Sequence, residues 1–223
     1  RVPEDEFFAI VSAQVGGDFY DFKKLSTHRF AVSIADVSGK GVPASLLMAL
    51  CQTNLRHYLT KSRHPSDVLK KLNSELENRI RDDMFITVFL AIIDTQDNTL
   101  TYSRAGHEPA LLSVGSNPSK VNKLDGNGMA VGMVPQEVFE EMIEDYSVEF
   151  TPGNTLTLYT DGITEAENQE QEEFGATRLK ECLETSGGLT AGGLNSKILE
   201  NMEKFATADS DRDDLTLLTV KRV

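Results

Sequence analysis

The chain has 223 residues and an acidic composition, with a formal net charge of −13 and a sequence pI near 4.7. An acidic surface repels phosphate backbones, which argues against a nucleic-acid partner. The longest apolar stretch, residues 84–93, is shorter than the roughly 18 residues that a membrane-spanning helix needs. The composition therefore predicts a soluble globular protein without membrane insertion.

Cysteine usage favours a reducing compartment. Only Cys51 and Cys182 are present, far apart and within predicted helices. This pattern argues against a disulfide framework or a zinc site and predicts a cytoplasmic protein. The chain begins at Arg1 rather than Met, which predicts that a regulatory region precedes it in a longer protein.

Periodicity and turn residues predict the secondary structure in chain order. Strands are predicted over residues 6–15, 18–25, 29–37, 85–93, 99–104, 109–114, 121–124, 146–150, 155–160 and 215–220. Helices are predicted over residues 43–59, 65–81, 177–185 and 190–205, with Pro43 near the first helix start and Ser66 as an N-cap. Antiparallel hairpins with helices grouped in pairs predict an α+β fold and a single domain over residues 1–223.

Four aspartates stand in short motifs at predicted strand ends. They are Asp18 in VGGDFYD, Asp36 in IADVSGKG, Asp161 in LYTDGITE and Asp213 in DRDDLTLL. If these ends converge, the like charges destabilise one another unless cations neutralise them. Ligation by oxygen atoms alone suits Mg²⁺ or Mn²⁺. An aspartate beside glycine in a turn is also common, so any one of the four taken alone is more often structural.

A pair of divalent cations would suit the hydrolysis of a phosphate ester. Two ions roughly 3.5–4 Å apart lower the pKa of a bridging water toward neutrality and clamp a phosphoryl group for in-line attack.

Two further residues, His107 and Arg104, each have two possible roles. His107 is either a catalytic acid or a hydrogen-bonded turn histidine, and Arg104 either holds phosphate or pairs with an acid.

The segment IADVSGKGVPAS contains the glycine spacing of a dinucleotide fingerprint. A dinucleotide site requires a second parallel strand that ends in an acidic residue about 20 positions further on. A second predicted helix follows instead, and residues 59–61 contain no acid. The sequence therefore argues against dinucleotide binding.

Taken in order, the motifs resemble the metal-dependent PPM (phosphatase 2C-like) serine/threonine phosphatases, in particular their bacterial SpoIIE/RsbU-like branch. The matching segments are VGGDFYD, ADVSGKGVPASLLMA, FITVFLAIID, YSRAGHEPALL, VEFTPGNTLTLYTDGITEAEN, EEFGATRL and RDDLTLL. The resemblance implies a four-layer αββα sandwich, in which two antiparallel sheets are flanked by helix pairs. It also implies a site for two ions, Mn²⁺ or Mg²⁺.

Position by position, the resemblance implies that Asp18, Asp36, Asp161 and Asp213 bind metal and act catalytically through a metal-bound water. The Val37 carbonyl is implied as a further ligand. The neighbours of these residues are secondary candidates: Gly17, Ser38, Gly39 and Asp214. The histidine that eukaryotic relatives place after the second motif is missing here, as is their arginine near the first motif. A general acid is therefore unassigned.

The same branch implies a substrate and partners. It typically dephosphorylates phosphoserine or phosphothreonine in STAS-domain anti-sigma-factor antagonists, within partner-switching pathways that govern sigma factors and stress responses. It commonly follows a sensory or receiver domain, and residues 43–81 correspond to a candidate switch element. Two alternatives stay open, a catalytically silent binding module and a hydrolase of small phosphate esters. A homodimer is also left open.

Overall fold

The structure is a computed structural model that describes residues 17–80, 83–115, 120–186, 188–207 and 214–223, and the backbone of residues 7–13. The chain forms two compact units. The first unit comprises Val15–Pro109 and Asp125–Thr151, and the second comprises Arg1–Gln14, Ala110–Leu124 and Pro152–Val223. Each unit contains one antiparallel sheet with helices of its own.

The first unit contains a five-stranded sheet in the order β2-β3-β4-β5-β8. Its strands are β2 (Phe19–Lys24), β3 (Arg29–Val37), β4 (Ile86–Asp94), β5 (Thr99–Ala105) and β8 (Tyr146–Glu149). Its helices are α1 (Val42–Tyr58), α2 (Pro65–Leu76) and α3 (Gln136–Met142). Chain-adjacent strands pair directly from β2 to β5, so short connections determine most of the sheet.

The core of the first unit lies between α1, α2 and one face of this sheet. Helix α1 contributes Leu47, Cys51 and Leu55 at helical spacing, and all three are buried. Helix α2 contributes Val68 and Leu72 with three further buried apolar positions: Pro65, Leu69 and Leu76. Facing side chains of β3 and β4 complete the cluster: Ala31, Ala35, Val37, Ile86, Val88, Leu90 and Ile92. This packing holds β3 and α1, the two elements that the β3–α1 loop connects, against each other.

The second unit contains a five-stranded sheet in the order β1-β10-β9-β6-β7. Its strands are β1 (Phe7–Ala13), β6 (Ala110–Val114), β7 (Lys120–Leu124), β9 (Thr155–Tyr159) and β10 (Thr216–Arg222). Its helices are α4 (Asp161–Thr164), α5 (Gly175–Glu184) and α6 (Ala191–Phe205). One face of the sheet packs against the helices through a core that includes Tyr159, Leu217, Leu179 and Ile198.

The strands and the four longer helices lie where the sequence predicts them, and the α+β class with two antiparallel sheets is confirmed. The second helix ends at Leu76, earlier than predicted, and continues as a turn in which Ile80 donates to the Leu76 carbonyl. Helices α3 and α4 were not predicted, because seven and four residues are too few to show helical periodicity.

The predicted N-cap at Ser66 is wrong. Helix α2 already begins at Pro65, and His64 is its N-cap without a side-chain capping bond. The Ser66 amide instead donates to Asp145 Oδ1 at 2.7 Å, and the same carboxylate oxygen accepts from Ser103 Oγ at 2.8 Å. A distant carboxylate thus satisfies the free N–H at the helix start, a contact that local sequence does not reveal.

No helix in the described part of the chain has both the length and the apolar character needed to cross a membrane. The prediction of a single domain that follows a regulatory region stays a prediction.

Candidate metal centre

Two of the predicted ligands lie side by side at one end of the β2–β3 pair. Phe19 pairs with Ala35 in the antiparallel register, so extending that register by one residue places Asp18 opposite Asp36. Directly opposed residues in such a pair have Cα atoms about 4.5–5.5 Å apart and side chains on the same face. Both aspartates are half-buried. The register therefore brings two carboxylates together at one sheet edge.

Gly17 keeps the space in front of these oxygen atoms clear. A Cβ atom built on Gly17 would lie 3.1 Å from the Val37 carbonyl oxygen and 3.5 Å from Asp36 Oδ1. It would also lie 3.7 Å from the Gly39 carbonyl oxygen. A buried glycine therefore faces three oxygen atoms, two of which belong to residues predicted to bind metal. A site of oxygen ligands alone fits this arrangement and fits hard cations such as Mg²⁺ and Mn²⁺.

Ser38 fixes the end of β3 against β4. Its amide donates to the Phe85 carbonyl at 3.0 Å, and its Oγ accepts from the Phe85 amide at 2.7 Å. In β4, two residues after Phe85, Thr87 Oγ1 donates to the Asp36 carbonyl oxygen at 3.4 Å. These bonds hold the backbone on both sides of Val37, so Ser38 acts here as a positioning residue.

The loop between β3 and α1 depends on glycine. Gly39 and Gly41 have φ angles of +95° and +80°, a region that side chains with a Cβ rarely adopt. Gly41 is the N-cap of α1, and its carbonyl accepts from the Ser45 amide at 3.1 Å. The SGKG motif therefore turns the chain from the aspartate end of β3 directly into α1.

The other described ligand candidates belong to the second unit, at one end of the β9–β10 pair. The Thr160 amide donates to the Thr216 carbonyl at 3.1 Å, and Thr160 Oγ1 accepts from the Thr216 amide at 3.0 Å. Both threonines are fully buried. Asp161 follows Thr160 as the first residue of α4, and Asp214 lies two residues before Thr216. The two aspartates therefore stand at neighbouring strand ends.

Asp161 is held by the short helix that it begins. Its carbonyl accepts from the Glu165 amide at 2.8 Å and from Thr164 Oγ1 at 3.2 Å. The side chain of Asp161 is half-buried, as is that of Asp214. Within the described ranges, no three His, Cys, Asp or Glu side chains form a group suited to a metal ion. Asp213, the fourth predicted ligand, lies outside those ranges.

His107 and Arg104 have structural surroundings. His107 is 3% exposed, and its Nδ1 lies 2.8 Å from Thr87 Oγ1. Arg104 donates from Nη1 to the His107 carbonyl at 2.6 Å and from Nε and Nη2 to the Gly126 carbonyl at 3.1 and 2.9 Å. Arg104 Nη2 also lies 3.3 Å from Asp125 Oδ1 in an ion pair. These contacts favour the structural interpretation of both residues over roles in acid catalysis or phosphate binding.

The last aspartate of VGGDFYD also has a structural partner. Asp21 accepts from Arg56 Nε and Nη2 in a two-pronged ion pair, with both distances at 2.6 Å. The carboxylate raises the pKa of Arg56 through this hydrogen bond and its charge. Asp21 thereby joins β2 to α1, and the motif combines a ligand candidate with an anchor for the adjacent helix.

Comparison with known proteins assigns the family. A family model described as Stage II sporulation protein E (SpoIIE) matches residues 26–223. The chain belongs to the SpoIIE family. The resemblance of its motifs to the SpoIIE/RsbU-like branch is thereby confirmed.

Curated relatives of this SpoIIE-family chain include two longer proteins. Phosphoserine phosphatase RsbU of Bacillus subtilis is 27% identical over 227 residues, which cover 100% of this chain and 65% of RsbU. Protein IcfG of Synechocystis is 31% identical over 236 residues, which cover 93% of this chain and 36% of IcfG. The chain thus spans less than two thirds of the length of either relative.

Among solved structures, the SiaA-PP2C domain of Pseudomonas aeruginosa matches with a TM-score of 0.82 and 21% identity. The match covers 96% of this chain and 85% of that domain. This likeness supports the same fold for the SpoIIE-family chain, in agreement with the fold that the motifs implied.

Sequence reasoning missed the residues that hold the ligand candidates in place. Thr87 lies within an apolar strand, and Thr160 and Thr216 are 56 positions apart, so local patterns do not pair them. Ser38 was identified only as a neighbour of Asp36. Their positions could have identified them, because Ser38, Thr160 and Thr216 each stand one or two residues from an aspartate within the same motif. Thr87 pairs with Asp36 on the neighbouring strand.

Proposed function

We propose that this SpoIIE-family chain is a metal-dependent protein serine/threonine phosphatase that hydrolyses phosphoserine or phosphothreonine. The observation that carries the proposal is the end of β2–β3, where Gly17 leaves space before the Val37 carbonyl and the Asp36 carboxylate. The name of the relative RsbU, a phosphoserine phosphatase, supports the reaction class.

The proposed metal ligands are Asp18, Asp36, Asp161, Asp213 and the Val37 carbonyl. When bound, two divalent cations, Mn²⁺ or Mg²⁺, would neutralise phosphoryl charge and lower the pKa of a water molecule. Contacts within the chain hold these ligand candidates in place. The β2–β3 register sets Asp18 beside Asp36, the Ser38–Phe85 bonds fix the backbone on the far side of Val37, and the Thr160–Thr216 pair fixes the strand end before Asp161.

Metal binding also removes an electrostatic cost. Carboxylates held together without a cation repel one another, and partial burial increases that cost. We therefore expect divalent cations to raise the thermal stability of the protein as well as to support turnover. Leaving-group protonation remains unassigned, because the described contacts of His107 and Arg104 are structural.

As its natural substrate we propose a phosphorylated STAS-domain protein of a partner-switching pathway, with activity controlled by an upstream sensory or receiver domain or a separate regulator. The support is the SpoIIE-family membership, together with the buried packing of α1 and α2 directly after the SGKG loop. A shift of this helix pair would act on the loop that follows Asp36, which makes the pair the proposed switch element.

The first test is hydrolysis of p-nitrophenyl phosphate with Mn²⁺, with Mg²⁺ and with EDTA, comparing the unmodified chain with Asp161→Asn. We expect metal-dependent turnover that EDTA abolishes and that Asp161→Asn lowers by at least ~100-fold, because one ligand carboxylate is lost. Asp97→Asn is the matched control, since Asp97 is exposed in the turn between β4 and β5 and should leave turnover unchanged.

Three outcomes would contradict the proposal or part of it. Equal turnover by Asp161→Asn would remove Asp161 from the ligand set. Metal binding by calorimetry without turnover of p-nitrophenyl phosphate or of a phosphoserine peptide would favour the silent-module alternative. Turnover of small esters without any of the phosphopeptide would favour the small-ester hydrolase instead.

A further inference from the structure

A basic pocket lies at the opposite end of the β2–β3 pair from the aspartates. Its volume is about 430 Å³, and half of its ten lining residues are cationic while none is acidic. The cations are Lys23, Lys24, Arg29, Lys61 and Arg63. The sign of this local charge is opposite to that of the whole chain, which has a net charge of −13. A concave surface of one sign focuses the local potential.

Two of these cations, Arg29 and Lys23, form hydrogen bonds between the elements that line the pocket. Arg29 Nη2 donates to the Arg63 carbonyl at 3.1 Å, and its Nε lies 3.6 Å from Asp94. Lys23 Nζ donates to the Arg56 carbonyl near the end of α1. Burial, together with the Arg56 charge, lowers the pKa of Lys23 against the opposing effect of Asp21. These bonds connect β2 and the start of β3 to the end of α1 and to the α1–α2 loop.

The other three cations present their charge to solvent. Lys24, Lys61 and Arg63 are exposed, and none forms an ion pair with a carboxylate in the described part of the chain. Lys24 Nζ lies 5.5 Å from the centre of the Phe30 ring, which holds its side chain without neutralising it.

Three acidic residues near the pocket already have partners within the chain. Asp94 pairs with Arg29, and Asp21 pairs with Arg56. Asp67 accepts from Ser62 Oγ at 3.1 Å. A carboxylate from a binding partner would therefore meet three cations that form no ion pair within the described ranges.

The distance between the aspartates and the pocket limits which ligands can contact both. Lys24 is six residues beyond Asp18 along β2, which corresponds to about 20 Å at the rise of an extended strand. A small phosphate ester at the aspartate end cannot reach that far. A polypeptide can, because about six extended residues span the same distance.

We propose that this basic pocket binds an acidic segment of the phosphoprotein substrate while its phosphorylated residue occupies the aspartate end. The proposal rests on the proposed phosphatase function. The pocket adds affinity through charge complementarity and accelerates encounter, and its effect decreases as salt screens the charges. It takes no part in the reaction itself.

The binding test uses fluorescein-labelled deca-glutamate and fluorescence anisotropy at 50 and 300 mM salt. We expect Lys61→Glu/Arg63→Glu to weaken binding at least about tenfold at low salt, since two attractive charges become repulsive. Both residues are exposed, and their bonds in the structure come from backbone atoms, which the substitutions retain. Lys71→Glu/Lys120→Glu, two exposed lysines elsewhere, gives the same net charge and should bind like the unmodified chain.

The turnover test uses two phosphoserine peptides that differ only in the tail, four glutamates or four glutamines, after a neutral spacer of about ten residues. We expect the glutamate tail to lower KM severalfold, with kcat unchanged, and we expect the double variant to lose that advantage. Turnover of p-nitrophenyl phosphate should be the same in both proteins.

An equal preference for the glutamate tail in the double variant would overturn the proposal, as would equal deca-glutamate binding by the two double variants. A complete lack of turnover with both p-nitrophenyl phosphate and the peptides would instead refute the proposed phosphatase function. The deca-glutamate measurement would still decide whether the pocket binds acidic polypeptide.

Discussion

The ends of β2–β3 and β9–β10 each present a pair of ligand candidates, and the chain fixes the two pairs by different means. At β2–β3, Gly17 makes room for oxygen atoms, and Ser38 locks the adjacent backbone to β4. At β9–β10, a buried threonine hydroxyl supports the strand end from within the sheet. The β2–β3 end depends on the lack of a side chain at Gly17, and the β9–β10 end depends on the hydroxyl of Thr160. Substitutions at the first end should therefore weaken metal binding, and substitutions at the second should lower stability.

The largest expected effect on turnover distinguishes the roles of Asp213 and Asp214. The proposed ligand is Asp213, so Asp213→Asn should lower metal-dependent turnover at least ~100-fold, while Asp214→Asn should retain most of it. Turnover of p-nitrophenyl phosphate at saturating Mn²⁺ measures both. The reverse order of effects would assign the ligand role to Asp214.

Gly17→Ala tests the end that depends on open space. The added methyl would lie 3.1 Å from the Val37 carbonyl oxygen, closer than a methyl group normally approaches an oxygen atom. We expect Mn²⁺ affinity to decrease by about tenfold, because the backbone and the Asp36 carboxylate must move. Isothermal titration calorimetry measures the change. Gly188→Ala is the control, since nothing lies within 4 Å of its added methyl, and unchanged affinity in both variants would remove the role assigned to Gly17.

Thr160→Val tests the end that depends on a hydroxyl. The substitution leaves the buried Thr216 amide without its acceptor, which should lower the free energy of unfolding by about 1–3 kcal/mol. Thr157→Val, on β9 three residues before Thr160, is a matched control. Its buried hydroxyl has no hydrogen-bond partner in the described structure, so its removal should be neutral or stabilising. Urea denaturation compares the two, and equal losses would contradict the role of the Thr160 bond.

Much of the fold could be predicted because its signals are local. Strands β2 to β5 of the first unit follow one another along the chain and pair in that order, and turn residues mark their ends. The order of the second sheet was harder to predict, because β10 pairs with β1, a strand from the opposite end of the sequence. Asp18, Asp36 and Asp161 could be located for the same reason, since each stands beside a glycine or at a strand end. Their role as metal ligands stays a prediction.

The supporting contacts could not be predicted, because each joins residues far apart in sequence. Asp145 satisfies the amide of Ser66, and Thr216 depends on Thr160. Composition also concealed the basic pocket, since a net charge of −13 describes the whole surface and not its distribution. The pocket forms only when the turn after β2 meets the loop after α1.

The two cysteines have a practical consequence for spectroscopy. Cys51 and Cys182 are the only thiols of the chain, and both are free and buried. Burial raises the pKa of Cys51, which keeps that thiol in its neutral, unreactive form. A cysteine introduced at an exposed position, such as Ser45 or Lys61, would therefore react selectively with a spin label or fluorophore. Labels on α1 and at the α1–α2 loop would then record helix movement in real time as metal, phosphopeptide or a regulator is added.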